Sequence, residues 1–311
     1  MEMFQGNNVT EFVFLGLSQI SELQTFFLLL FSGMYAVILV GNILTIITVN
    51  VDNRLDTPMY FFLSHLSFID LCYSSVTAPK MLADLVTETK TISFNACIMQ
   101  KFFLHFIGGT EMLLLTVMAF DRYVAICKPL HYMTIMSHRT CGLLVAASWV
   151  GGSIHSLVQT LLLVRLPFCG PNVIDSFFCD GPQLLNLACA DTTLTGFLIL
   201  SNGGLIAVCS FSVLVTSYVL IIQTLRNQLT EGKRRALSTC GSHCIVVTFF
   251  FGPCIYIYLR PSTSLPMDKV VSVFYTLITP MLNPIVYTLR NGEMKRAMIK
   301  LGTRYIFPAR K

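Results

Sequence analysis

Seven long apolar runs govern what this sequence can become. They extend approximately over Leu23–Val49, Pro58–Leu82, Ile98–Phe120, Thr140–Val164, Leu194–Leu225, Ala236–Leu259 and Val270–Leu289. Each supplies roughly the 20 mostly apolar residues that an α-helix needs to cross a bilayer. Of 311 residues, 54% are hydrophobic and 12% charged, whereas a soluble domain averages about 25% charged. So little charge cannot keep a globular surface soluble, and the mean hydropathy is +0.69. Strands of a membrane barrel would be about ten residues of alternating polarity, a pattern absent here. The net charge of +5 is too dilute for a nucleic-acid surface. The expected fold class is an all-α membrane protein, a seven-transmembrane helix bundle.

Orientation follows from the basic residues. Fifteen of the 21 Lys and Arg lie after odd-numbered runs, in segments that include Arg54, Arg122, Lys128, Arg139, Arg226, Lys233 to Arg235, and the stretch from Arg290 to Lys311. The opposite side holds Lys90, Arg165, Arg260 and Lys269, and Lys80 and Lys101 are expected at outer helix ends. The bias places the N-terminus outside the cell and the C-terminus in the cytoplasm. The first 22 residues carry Glu2, Glu11 and Glu22, no base and no signal-peptide pattern, so the first run is expected to act as its own insertion signal. Asn8-Val9-Thr10 is a glycosylation sequon in this outer tail, with Asn8 the acceptor. An odd number of spans disfavours the doubled architectures of many secondary transporters.

Topology sorts the eleven cysteines. Cys72, Cys141, Cys209, Cys240, Cys244 and Cys254 lie in spans, and Cys127 lies on the reducing side. Cys97, Cys169, Cys179 and Cys189 face the oxidising side, where four cysteines allow three connectivities. The favoured one joins Cys97 to Cys179, pinning the second outer loop over the bundle mouth, and Cys169 to Cys189. Cys97–Cys189 is the alternative. No close pair or histidine accompanies these cysteines, so a metal site is disfavoured.

Several motifs stand in a fixed order. Span two opens Pro58-Met59-Tyr60-Phe61-Phe62-Leu63. Span three contains His105-Phe106-Ile107-Gly108-Gly109-Thr110-Glu111-Met112 and ends Met118-Ala119-Phe120-Asp121-Arg122-Tyr123-Val124-Ala125-Ile126-Cys127. Ser217-Tyr218 lies in span five, Ser238-Thr239-Cys240-Gly241-Ser242-His243 in span six, and Pro280-Met281-Leu282-Asn283-Pro284-Ile285-Val286-Tyr287 in span seven. Together they resemble the signature of vertebrate olfactory (odorant) receptors of the tetrapod-type class, within the rhodopsin-like G-protein-coupled receptors. The resemblance covers essentially the whole chain. One departure is Phe250-Phe251-Gly252, where many members of the family have a tyrosine.

The resemblance implies a receptor in the plasma membrane that binds a small volatile odorant. It also implies coupling to a heterotrimeric G protein of the stimulatory olfactory type, which raises cyclic AMP. Its domains would be an extracellular tail at 1–22, a receptor domain at 23–290 and a cytoplasmic tail at 291–311. It assigns coupling to Asp121, Arg122 and Tyr123, and the activation switch to Tyr218, Asn283, Pro284 and Tyr287. It also places Asp70, Glu111 and Asn283 around one inner cavity, where two carboxylates could hold a sodium ion. The alternative there is a hydrogen-bonded cluster containing a neutral acid.

The residues themselves carry part of this reading. Ionisable groups inside a bilayer are costly and read as functional. Glu111 and Arg122 lie eleven residues apart, so they share a helix face about 16 Å apart. Pro253 and Pro284 each remove a helical hydrogen bond, which suits hinges. Met294, Ala297, Met298 and Leu301 fall on one face of a short amphipathic helix after span seven. His105, Gly108, Gly109 and Met112 recur at helical spacing and form one face, whose glycines leave room for a cavity. Asn202, Ile206, Phe251, Cys254, Tyr258 and Thr276 are further candidates for ligand contact. No acid lies between Cys97 and Gly109, so span three lacks the anchor used for amines, and span seven has no mid-membrane lysine for a retinal Schiff base. A largely apolar pocket with a few hydrogen-bonding groups is expected. No phosphate loop, zinc motif or nucleophile elbow supports an enzyme. An ion-coupled transporter using Asp70 and Glu111, and a non-olfactory chemosensory receptor, are the alternative functions.

Overall fold

The computed structural model describes residues 9–226, 231–258, 266–289 and 291–305. Seven spanning helices form a bundle: α1 (Ser21–Val51), α2 (Pro58–Val86), α3 (Phe94–Cys127), α4 (His138–Leu163), α5 (Thr193–Arg226), α6 (Glu231–Tyr258) and α7. The last is built of three consecutive pieces, Pro266–Val273, a π-helical stretch Phe274–Ile278, and Thr279–Leu289. An eighth helix, α8 (Gly292–Tyr305), follows. Local chemistry explains several starts. Pro58 occupies the first turn of α2, where its missing N–H costs nothing. Ser93 and Ser137 cap α3 and α4 by accepting from the backbone N–H of Ala96 and Thr140 at 3.3 Å each. Asn291 Oδ1 caps α8, accepting from Glu293 and Met294.

Among the described residues, five helices are long and apolar enough to cross a membrane by themselves: α1, α3, α4, α5 and the Met267–Tyr287 part of α7. α6 contributes the shorter apolar stretch His243–Ile257. α2 is long enough but carries Asp70, Lys80 and Asp84. Its charges are handled internally, since Asp70 is bonded to Asn283 and Lys80 forms an ion pair with Asp84 one turn on. α2 and α3 form the buried centre of the bundle, with Leu66, Ile69 and Leu115 at 0% exposure. α1 instead buries five residues, Phe31, Ile38, Asn42, Thr45 and Thr48, and presents its remaining apolar surface outward. Asn42 ties α1 to α7 by donating to the carbonyl of Pro280 at 3.1 Å. Gly41 sits where a Cβ would come within 3.1 Å of Pro284 Cγ, so the glycine admits the proline ring.

The sequence treats residues 1–22 as a tail, but part of that segment is structured. β1 (Glu11–Phe14) pairs antiparallel with β2 (Thr91–Ser93) and parallel with β3 (Val173–Ile174), in the order β2-β1-β3. Phe12 and Phe14 alternate with Glu11 and Val13, and both rings are buried over one end of the bundle. Phe12, Phe94 and Phe168 make a small aromatic core there, with centroids 5.5–6.0 Å apart. Lys101, expected at the outer end of its helix, lies two turns inside α3 and is 0% exposed. The segment after β3, including the short helix Gly181–Leu187, folds over it. At the opposite end, α8 buries Met294 and Ala297 and exposes Lys295, Arg296 and Lys300.

Candidate functional site

A cavity opens beneath the sheet end of the bundle, within a space of about 680 Å³ that includes its open mouth. α3 supplies Leu104, His105, Gly108, Gly109 and Met112 to its wall. Tyr73 of α2, His155 of α4, Ile206 of α5, Phe250, Cys254 and Ile257 of α6, and Tyr275 of α7 complete the sides. Phe178 and Asp180 roof it from the loop between α4 and α5. The glycines are needed where helices approach. A Cβ on Gly108 would lie 3.3 Å from the Tyr73 ring, and one on Gly109 would lie 3.2 Å from His155 and 3.3 Å from the Gly152 backbone. This close approach brings the His105 and His155 rings to 6.1 Å. His155 Nδ1 is buried without a hydrogen-bond partner among the described residues, while Nε2 lies 3.4 Å from Gln159 Nε2.

The structure therefore brings together His105, Gly108, Gly109, Met112, Ile206 and Cys254. Phe251 does not line the cavity: it is 1% exposed and packs on Phe250 and Phe211, so its neighbour Phe250 takes the wall position. Thr276 is fully buried within α7, its hydroxyl donating to the Ser272 carbonyl at 2.7 Å. Asn202 also stays off the wall, beside His155, with Oδ1 buried and without a hydrogen-bond partner within 3.5 Å among the described residues. The side chain of Tyr258, like Asn8, lies outside the described residues. Tyr73, His155, Phe178, Asp180 and Tyr275 are wall residues that the sequence did not single out. The periodicity of α3 was a usable signal, whereas a loop acid placed by a disulfide had none.

Disulfides join Cys97 to Cys179 and Cys169 to Cys189. The first sets Phe178 and Asp180 over the cavity. Gln100, one turn along α3 from Cys97, reinforces it by accepting from the Cys179 backbone N–H at 2.9 Å and donating to the Val76 carbonyl at 3.2 Å. The roof is also strapped to α7, because Lys269 pairs with Asp175 at 2.5 Å and donates to the Gly16 carbonyl at 3.0 Å. Asp180 Oδ1 accepts from the Gly181 N–H at 2.7 Å and starts the short loop helix. Burial pushes the Asp180 carboxyl above the usual carboxylate range, while that hydrogen bond and the Lys101 charge pull it back.

Deeper in the bundle, Asp70, Glu111 and Asn283 are fully or almost fully buried. Asn283 Nδ2 donates to both carboxylate oxygens of Asp70 at 2.9 Å, joining α2 to α7. Neither oxygen of Glu111 has a hydrogen-bond partner among the described residues, nor does Asn283 Oδ1. The Asp70 and Glu111 carboxyl groups lie within electrostatic reach of one another.

At the α8 end, Arg122 forms an ion pair with Asp121, its Nε donating at 2.9 Å. Tyr132 donates to the other Asp121 oxygen at 2.8 Å. Tyr218 of α5 is hydrogen-bonded to His243 of α6. Arg122, Asp121, His243 and Tyr287 surround a second, smaller space of about 250 Å³ with Met59 and Met118. Tyr287 is 9% exposed and its hydroxyl has no hydrogen-bond partner among the described residues. Tyr123 packs partly buried near Ile221, Leu225 and Cys240. Pro284 lies inside α7 one turn from Tyr287.

Comparison with known proteins gives a consistent result. The family model described as "Olfactory receptor" matches residues 31–304. Human olfactory receptor 4S2 is 56% identical over 301 residues, which is 97% of this chain and 97% of that protein. Mouse olfactory receptor 4E2 is 58% identical over 298 residues, 96% of this chain and 97% of the relative. Human olfactory receptor 4E1 is 58% identical over 300 residues, 96% of this chain and 95% of the relative.

Proposed function

The chain belongs to the olfactory receptor family of rhodopsin-like G-protein-coupled receptors, and from that premise we propose that it binds small, mostly apolar volatiles in the cavity roofed by Phe178 and Asp180. As a multi-pass membrane receptor, it would carry the odorant signal from this cavity to the α8 end. There it activates a heterotrimeric G protein of the stimulatory olfactory type and raises cyclic AMP. The observation that carries the reading is the cavity itself. It is enclosed by helices α2 to α7 and roofed by the loop after α4, its wall is mostly apolar, and the polar groups of His105 and His155 fix an orientation.

The basic residues support an orientation with the sheet and cavity outside the cell, and with α8 and Arg122 in the cytoplasm. Residues 1–22 then form an outer segment with Asn8 as a glycosylation acceptor, 23–290 the receptor domain, and 291–311 a cytoplasmic tail whose α8 lies on the inner leaflet. In the resting state the Asp121–Arg122 pair holds the coupling end closed. Outward movement of α6, pivoting near Pro253, separates His243 from Tyr218 and frees Arg122 and Tyr123 for the G protein's terminal helix. Tyr287 and Pro284 shift with α7.

The unpartnered buried oxygens of Glu111 and Asn283, with the Asp70 carboxyl bonded to Asn283 beside them, offer the oxygen ligands that a hard cation prefers. We assign these residues as those that would hold a sodium ion favouring the resting state. A cyclic-AMP reporter screen of cells displaying the receptor, against a chemically broad odorant panel, tests the function. A receptor present at the surface that raises cyclic AMP with no odorant, or that moves charge instead, overturns it.

A further inference from the structure

Lys101 is the least expected charge in the bundle. It stands on α3 one turn from Cys97 and one turn from His105, and its exposure is 0%. An ammonium buried in this way is expensive unless it is compensated. Its direct acceptor among the described residues is Gln159 Oε1, at a long 3.4 Å. A neutral amide at that distance does not balance a buried cation. The acid within electrostatic reach of it is Asp180, whose neighbour Gly181 lies against the Lys101 stem.

The register of Asp180 against Lys101 is built in by three neighbouring positions of α3. Cys97 is bonded to Cys179, Gln100 accepts from the Cys179 N–H, and the Lys101 stem lies 3.9 Å from where a Cβ on Gly181 would be. Asp180 is part of the cavity wall and Lys101 is not. A ligand therefore meets the acid, with the base behind it.

We propose that Lys101 is a specificity-determining residue: its buried charge occupies Asp180, so that the cavity accepts uncharged odorants and rejects protonated amines. This rests on the odorant-binding reading of the cavity. An amine entering the native cavity finds a carboxylate whose charge is already countered, and feels repulsion from the ammonium behind it. Removing the lysine charge leaves a wall carboxylate in a low-dielectric site, where an alkylammonium is its natural partner. Removing the aspartate charge leaves the reverse, a cation one layer behind the wall, suited to a carboxylate ligand.

The test uses full-length receptor in a cyclic-AMP reporter line, with surface density measured for each variant. The probes are n-alkyl alcohols, primary amines and carboxylic acids of matched chain length, applied to the native chain, Lys101→Gln, Asp180→Asn and the double variant. The native chain is expected to respond to alcohols at concentrations at least tenfold below any amine response. Lys101→Gln gains amine responses that vanish in the double variant, and Asp180→Asn gains responses to the acids. If both single variants stay inside the cell, the double variant returning to the surface supports the pair, since each charge is costly only without the other.

The proposal is overturned if a single variant reaches the surface and gains neither class. It is also overturned if the double variant keeps the amine response, or if the double variant is trapped as severely as the singles. A native receptor that is silent to every odorant defeats the odorant reading instead. In that event surface density across the four chains still tests the charge pair.

Discussion

The contact between α3 and α4 makes a graded prediction from three glycines of one helix. A Cβ placed on Gly152 would lie 2.3 Å from Thr110 Oγ1, 2.6 Å from the Phe106 carbonyl oxygen and 2.7 Å from the Thr110 amide nitrogen. Two of those atoms are backbone and cannot rotate aside. A Cβ on Gly151 would meet only the end of the Leu113 side chain at 2.6 Å, and one on Gly142 would meet nothing within 4 Å. Replacing glycine by alanine in a helix gains about 1 kcal/mol of propensity, and overpacking a close contact costs about 1–3 kcal/mol. Gly142→Ala is therefore expected to stabilise by up to ~1 kcal/mol. Gly151→Ala should be near neutral, because Leu113 can change rotamer. Gly152→Ala should lose ~2 kcal/mol net, the upper overpacking cost less the propensity gain.

At roughly 1.5–2 °C per kcal/mol for a chain of 311 residues, the first and last variants should melt about 5–6 °C apart. Thermal unfolding of detergent-purified receptor measures this, and surface density in cells provides a second readout. His155 follows Gly152 by one turn and faces His105 across the cavity, so odorant potency should also fall in the Gly152 variant. Equal melting of all three variants, or Gly152→Ala melting above Gly142→Ala, would refute the packing argument.

Three further outcomes are expected. Arg122→Ala should reach the cell surface and fail to raise cyclic AMP, while a normal response in the reporter assay would remove Arg122 from coupling. His105→Ala should shift the half-maximal concentration of an agonist by ~2- to 10-fold, the worth of one neutral hydrogen bond, with surface density unchanged. An identical dose–response curve would take His105 out of the binding site. Asp70→Asn should abolish any sodium dependence of basal activity when choline replaces sodium in the medium, and persistence of that dependence would sink the cation assignment.

The bundle was legible because its defining signal, long runs of apolar residues, is local along the chain. His105, Gly108, Gly109 and Met112 were legible for the same reason, since one helix face can be read from spacing alone. What escaped was set by pairings between distant segments. β1 gains its meaning only against β2 and β3, although the alternation of Phe12 and Phe14 was a faint local sign. Asp180 reaches the cavity through a cystine and a short loop helix, and no spacing along the chain encodes that position. The choice of Phe250 over Phe251 depends on the rotation of α6 about its own axis, a matter of about 100° per residue that its neighbours decide. The burial of Lys101 escaped because a cation near a helix start ordinarily reaches water, and here the loop closes over it.

α3 arranges its ionisable side chains along the membrane normal in a way that bears on signalling. Lys101 and Glu111 are separated by about 15 Å of helix rise, and Glu111 and Arg122 by about 16 Å. The sum is close to the ~30 Å of a hydrocarbon core, so the two cations stand near its boundaries and the acid near its middle. Each cation has an acid at hand, Asp121 bonded to Arg122 and Asp180 within electrostatic reach of Lys101. Glu111 instead has the acid Asp70 within electrostatic reach, and both of its oxygens are unpartnered among the described residues. The boundaries of α3 are thus locally balanced, and the imbalance is concentrated at its centre. Asp70 is in turn held by Asn283, the residue before the Pro284 kink. On the proposed reading, a proton or cation gained or lost between Glu111 and Asp70 would change the strength of those two hydrogen bonds first. It would therefore act on α7, at a point between the cavity and the Arg122 end.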